Sequence, residues 1–196
     1  MSDINLTFST PIWTSLLVNY QEVNNKLLDY IKELKSKDDA GKLKSNINGW
    51  HSKNFDLKNE NIVFFINNIS TQINKTLNDM GWDLEKNTLK ITSMWTIINP
   101  PKASNSRHIH SNNFISAAYY IKAPKNSGDI VFYDPREANV IRHPIIKTHN
   151  KLNGNIFSVV PKDGLLVLFP SYLHHSVNVN QSEDDRIVLS FNINLL

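Results

Sequence analysis

The sequence contains no cysteine. That excludes disulfide staples and every thiolate metal site, so a bound metal must rest on histidine or carboxylate. Glycine and proline are sparse, at 6 and 8 residues in 196, which excludes collagen-like and low-complexity architectures. No apolar run approaches the ~20 residues of a membrane span. The opening MSDINLTFSTPIW has neither the cationic start nor the apolar stretch of a secretory signal. The expectation is a cytoplasmic protein with no membrane partner. Neither sign of charge dominates, with 21 Lys and Arg against 18 Asp and Glu and a formal net charge of +3. The lysines Lys26, Lys32, Lys35, Lys37, Lys42 and Lys44 are scattered rather than interleaved with aromatics. They read as a solvated surface, and no nucleic-acid partner is expected.

What is present suits one domain over 1–196, long enough to bury a real core. Two helical patterns come first. In 20–37, Val23, Leu27, Ile31 and Leu34 recur at three to four residues. In 59–80, Ile62, Phe65, Ile66, Ile69, Ile73 and Leu77 do the same, and Gly81 stops the run. Between them, 45–57 is rich in turn formers and reads as a loop. After Gly81 the pattern changes to short β-type runs at 89–98, 114–122, 129–133, 155–160, 164–169, 175–179 and 186–194. These predict a sandwich or barrel with the two N-terminal helices on its outer face.

The last run, RIVLSFNIN, divides by parity. Ile187, Leu189, Phe191 and Ile193 share one face, suited to receive helices, and Arg186, Val188, Ser190 and Asn192 share the other. A polar inner face is costly unless a ligand satisfies it, so a wet, functional lumen is expected.

Of the seven histidines, His51, His143 and His149 sit in polar, loop-like contexts and read as ordinary polar residues. His108 and His110 stand at i and i+2, which on an extended segment aims both rings at one ion. His174 and His175 are adjacent, so on a strand only one of the two faces the lumen, and the turn at Pro170 prevents parity from choosing. Arg186 opens the strand with the polar face, and a guanidinium inside a barrel calls for a planar anion such as a carboxylate. Trp50, Trp95, Tyr119, Tyr120 and Tyr133 are candidates to line a pocket, and Arg107, Arg136 and Arg142 to receive an anionic substrate.

These features, in this order, resemble the small 2-oxoglutarate/Fe(II)-dependent oxygenases of bacterial and phage genomes, which are similar in turn to prolyl-4-hydroxylases. The segments that carry the resemblance are FSTPIW (8–13), SNINGWHS (45–52), HIHSNNFISAAYYIKAPKNSGDIVFYDPR (108–136), DGLLVLFPSYLHHSVNVN and RIVLSFN. The resemblance implies a mainly β fold with N-terminal helices, a cupin-like double-stranded β-helix or jelly roll. Residues 1–82 would be helical support and 88–196 the core. It implies Fe(II) as metal, 2-oxoglutarate as co-substrate, and dioxygen and an unknown prime substrate as partners. That substrate is a prolyl or other protein side chain, or a small molecule; homo-oligomerisation is left open. His108 would be the first ligand, His175 rather than His174 the distal one, and Arg186 the carboxylate anchor.

Two departures stand out. The superfamily's usual acidic position is occupied by His110. Either the site is all-histidine, or His110 sits behind the ligands, or His110 is itself the first ligand with Asn112 where the acid would be. Val188 replaces a common serine, so Tyr119, Tyr120, Ser190 or Asn192 would supply the missing hydrogen bond. Histidine ligation implies activity falling below about pH 6. The rival readings are a cupin-type metal enzyme that ignores 2-oxoglutarate, and a non-catalytic jelly-roll binding module.

Overall fold

Period-two alternation in the C-terminal half becomes two antiparallel sheets, and the two amphipathic segments become helices laid against one of them. A computed structural model describes residues 3–136 and 144–196. The larger sheet has the order β1-β9-β6-β11-β4-β3, formed by β1 (Trp13–Leu16), β9 (Leu165–Pro170), β6 (Ile115–Lys122), β11 (Arg186–Leu195), β4 (Leu89–Asn99) and β3 (Trp50–His51). The smaller sheet has the order β2-β5-β10-β7-β8, formed by β2 (Asn46–Ile47), β5 (Ser104–His108), β10 (His175–Val177), β7 (Ile130–Tyr133) and β8 (Ile156–Val159).

The helices α1 (Tyr20–Lys37) and α2 (Glu60–Asp79) cover the outer face of the larger sheet. Their stripes meet the odd-numbered residues of β11, so Ile187, Leu189, Phe191 and Ile193 are buried in one cluster with Val23, Leu27 and Phe65. Burying each such side chain contributes roughly 1.5–3 kcal/mol. Phe65 anchors the contact, with its ring 4.9 Å from Tyr119 and 6.1 Å from Phe191. Asn24 of α1 ties helix to sheet by donating to the Ile121 carbonyl at 2.8 Å and accepting from the Tyr119 hydroxyl at 2.7 Å. A second, smaller core lies between the sheets, from Ala118, Tyr120, Val167, Phe169 and Val188 on one side to Ile130 and Phe132 on the other.

Two expectations need correction. The 45–57 loop contains β2 and β3, and the left-handed Asn48 (φ 57°) with Gly49 carries the chain from one sheet to the other. Strands of two residues are too short to show alternation, which is why the turn formers masked them. His110 also lies beyond the end of β5, not on it. Its place is set instead by its backbone N–H, which donates to the Ser171 carbonyl at 3.0 Å.

Candidate metal centre

Strand pairing converts a sequence separation of sixty-seven residues into a contact. His175 opens β10 and is the direct cross-strand partner of His108 at the end of β5. Opposed residues of an antiparallel pair hold their Cβ atoms about 5 Å apart. The two rings follow, with centroids 4.3 Å apart, and His110 joins them at 5.3 Å from His108 and 5.1 Å from His175. One ring nitrogen from each of the three lies within 4.8 Å of the others.

Hydrogen bonding decides which nitrogens these are. Nδ1 of His108 meets the Ser106 carbonyl at 2.7 Å, Nδ1 of His175 meets the Leu173 carbonyl at 3.0 Å, and Nδ1 of His110 meets Asn192 Oδ1 at 2.7 Å. All three partners are acceptors, so each Nδ1 carries the hydrogen and each Nε2 keeps its lone pair. Asn192 is itself fixed, since its Oδ1 also accepts from Ser116 Oγ at 2.8 Å and its Nδ2 donates to Ser93 Oγ at 3.0 Å. The Nε2 atoms of His108 and His110 then face each other at 3.3 Å with no hydrogen between them. Opposed lone pairs repel, and a cation between them turns the repulsion into ligation. The donor set therefore fits a first-row divalent metal such as Fe(II), for which imidazole is a good ligand.

Burial keeps the rings neutral. It pulls His110 down to about 4 and His175 to about 3, with a smaller push on each from neighbouring histidines, and it lowers His108 as well. Protons therefore compete for these nitrogens only in more acidic solution than the pH 6 expected of free imidazole. The same shifts set a stability profile. In the unfolded chain these groups take up protons near pH 6.5, whereas in the folded chain His110 resists until about 4, His175 until about 3, and His108 is shifted in the same direction. Stability of the metal-free protein is thus full above pH 6.5 and lost as pH falls toward 4. The loss from His110 alone is of order 3 kcal/mol. Thermal melts of chelator-treated protein from pH 7.5 to 4 should show this decline, and a flat profile would contradict the buried, neutral cluster.

The triad opens into a cavity of about 530 Å³ between the sheets. Arg186 lines it from the start of β11 and is only 1 % exposed. Its Nη1 donates to the carbonyls of Ser127 (3.0 Å) and Gly128 (2.9 Å), and its Nε has no partner. Gly128 itself packs tightly on the Asn178 backbone, since at φ 94° a Cβ there would lie 2.2 Å from the Asn178 carbonyl oxygen. Among the described residues no carboxylate comes within 4.0 Å of Arg186. Burial pulls its pKa down, opposed by Tyr120, but an arginine stays charged. A buried cation with no anion beside it is costly, and an incoming anion would relieve that cost.

The structure sorts the other candidates. Tyr120, Val188, Ser190 and Asn192 line the cavity with Arg186. The Tyr120 hydroxyl, pushed up to about 12 by burial, remains a donor and makes no hydrogen bond among the described residues. Tyr119 is a correction, because it faces the helices and its hydroxyl is spent on Asn24. His174 and Asn112 are exposed and outside the cluster. Trp95 lines the cavity, whereas the Trp50 indole donates to the Asp38 carbonyl at 2.8 Å. Arg107 stacks on Tyr133 at 4.2 Å, and Arg136 pairs with Asp134. His143 and Arg142 lie outside the described residues.

One residue escaped the sequence reading. His51 is 8 % exposed, lines the cavity, and stacks on Trp95 with centroids 5.7 Å apart and planes 7° apart. The available signal was its position directly after Trp50 in a segment that pairs with β4.

Solved structures share this architecture at low sequence identity. A prolyl-4-hydroxylase from Pseudomonas putida is 13 % identical with a TM-score of 0.64, over 95 % of this chain and 93 % of that one. A viral collagen prolyl hydroxylase from Paramecium Bursaria Chlorella virus-1, solved with 2-oxoglutarate, is 14 % identical with a TM-score of 0.61, over 93 % and 94 %. HygX from Streptomyces hygroscopicus, with nickel, 2-oxoglutarate and hygromycin B bound, is 9 % identical with a TM-score of 0.64, over 94 % and 83 %. At such identities the likeness is one of fold. No curated protein matches the chain. A family model does match, from residue 93 to 192, slightly more than half of the chain and the whole stretch that supplies the three histidines, Arg186 and Asn192. On that match the chain belongs to the 2OG-Fe(II) oxygenase family.

Proposed function

We propose that the chain is a 2-oxoglutarate- and Fe(II)-dependent dioxygenase that holds its metal on His108, His110 and His175 and the far carboxylate of 2-oxoglutarate on Arg186. The observation that carries this reading is the set of three Nδ1-anchored imidazoles with converging Nε2 lone pairs, in one cavity with an unpaired buried guanidinium. The two facing sheets are read as the jelly roll of the family, and 1–196 as one domain with 1–82 supporting the 88–196 core. An all-histidine triad is the simplest use of His110, since it is the Asn192 contact that aims its Nε2 at the other two.

Bound on these nitrogens, Fe(II) supplies activation of dioxygen coupled to oxidative decarboxylation of 2-oxoglutarate. The chain's own work is positioning. Ser106, Leu173 and Asn192 lock ring orientation through Nδ1, which also raises ligand basicity. Arg186 offers charge-assisted donors, and Tyr120 a hydroxyl beside it. Ala118, Phe169 and Val188 give the inner cavity an apolar lining that limits water. Hydroxylation is the reaction class supported by the prolyl hydroxylases among the neighbours; the target is a prolyl or other protein side chain, or a small molecule, such as the hygromycin B bound in HygX. A cytoplasmic setting is part of the same reading, and among the described residues no helix is long and apolar enough to cross a membrane.

The test is succinate formation from 2-oxoglutarate under air with Fe(II), followed by NMR. Slow turnover without prime substrate, abolished by a chelator and restored by Fe(II), is the expected result. Metal uptake with 2-oxoglutarate left untouched would indicate a cupin-type enzyme, and neither event a binding module.

A further inference from the structure

We propose that the outer part of the cavity is an oxyanion subsite, in which Lys42 and Lys44 hold a carboxylate or phosphate of the prime substrate against the His51–Trp95 wall. This rests on the oxygenase reading. Lys42, Lys44 and Arg186 are the charged side chains lining the cavity, and no aspartate or glutamate lines it among the described residues. Arg186 is committed to the co-substrate, which leaves two cations without a task. Neither has a carboxylate within 4.0 Å among the described residues, and Asp38, which feels Lys42, is paired with Lys53 at 2.9 Å.

The lysines do not ride on a free loop. The Lys42 N–H donates to the His51 carbonyl at 2.8 Å, and the Lys44 N–H donates to Asn46 Oδ1 at 2.8 Å. Asn46 Nδ2 returns a bond to the Lys42 carbonyl at 3.2 Å and another to Gly49 at 2.7 Å. Gly41, at φ 61°, lies so close to β3 that a Cβ would come within 2.7 Å of the His51 carbonyl oxygen. The backbone that carries both lysines is therefore clamped at the rim, and their exposed side chains start from fixed points.

His51 adds a second requirement. Its Nδ1 donates to the Ser52 carbonyl at 2.7 Å, so Nε2 is an acceptor, and it has no partner among the described residues. Burial keeps the ring neutral, Lys42 and Lys44 push the same way, and all three side chains line the same cavity. The fitting ligand carries an oxyanion for the lysines and an O–H or N–H for His51. An acidic residue within a peptide and a small phosphorylated alcohol share that chemistry.

The experiment is calorimetric titration of protein loaded with Mn(II) and saturating 2-oxoglutarate. The probes are N-acetyl-glutamate amide against N-acetyl-glutamine amide, and glycerol 3-phosphate against glycerol. The charged member of at least one pair should bind roughly tenfold more tightly, less so at high salt, and the pair that responds identifies the source. The preference should vanish in the Lys42→Gln/Lys44→Gln double variant, with 2-oxoglutarate affinity and melting temperature unchanged. In His51→Phe both members of the pair should weaken by a similar factor, because the lost acceptor does not read charge. Absence of any charge preference overturns the inference. So does a parallel loss of 2-oxoglutarate affinity in the double variant, which would make the lysines a guide for the co-substrate. Failure of the parent to take up Mn(II) and 2-oxoglutarate overturns the oxygenase reading and this inference with it.

Discussion

His175→Ala should abolish metal-dependent turnover of 2-oxoglutarate, while His174→Ala should leave it near the parent level. The two side chains leave the backbone on opposite sides. His175 is 4 % exposed, paired with His108 across the ladder and anchored through Nδ1 to the Leu173 carbonyl. His174 is exposed, and its backbone carbonyl rather than its ring serves the fold, accepting from the Tyr133 N–H at 3.0 Å. Loss of groups behind a metal ligand typically costs 10–100-fold in affinity, so loss of a ligand should exceed ~100-fold. A cobalt(II) absorption titration measures this without reference to activity. The metal-free His175→Ala protein should also lose stability less steeply in acid than the parent, since one depressed imidazole has gone. A dead His174→Ala with a competent His175→Ala would refute the assignment.

Parity along one strand was the most informative feature of the sequence. In β11 the even positions Arg186, Val188, Ser190 and Asn192 line the cavity, and the odd positions meet the helices. That follows from the strand's geometry and needs no knowledge of its neighbours. Tyr119 and Tyr120 show where such reasoning stopped. Parity separates them, but which of the two faces the cavity depends on which face of β6 the helices cover. The choice between His174 and His175 was hidden for a related reason. The turn after β9 resets the alternation, and only the pairing of His175 with His108 restores it. His51 was hidden by brevity, since β3 has two residues and its pairing with Ile97 is long-range. Lys42 and Lys44 are exposed, as a solvated surface requires, and only the folding of their segment back onto β3, which nothing local in the sequence announces, brings them to the rim of the cavity.

Arg186→Met should raise the dissociation constant for 2-oxoglutarate by ~100-fold or more, because truncating one partner of a buried, hydrogen-bonded charge pair costs about 2–5 kcal/mol. The guanidinium is positioned by the Ser127 and Gly128 carbonyls before any ligand arrives, so little ordering remains to be done on binding. Two opposing effects act on the variant's own stability. Two carbonyls lose a donor, at roughly 1–3 kcal/mol each, while relief of an uncompensated buried charge returns several kcal/mol. The metal-free, ligand-free variant should therefore melt near the parent. The difference emerges on adding metal and 2-oxoglutarate. A ligand at a hundred times its dissociation constant stabilises the parent by about 2.7 kcal/mol, and the variant should gain almost nothing. Arg186→Lys keeps the charge but not the planar fork, and should fall between the two. Parent-like stabilisation of Arg186→Met by 2-oxoglutarate would place the co-substrate's far carboxylate somewhere other than the start of β11.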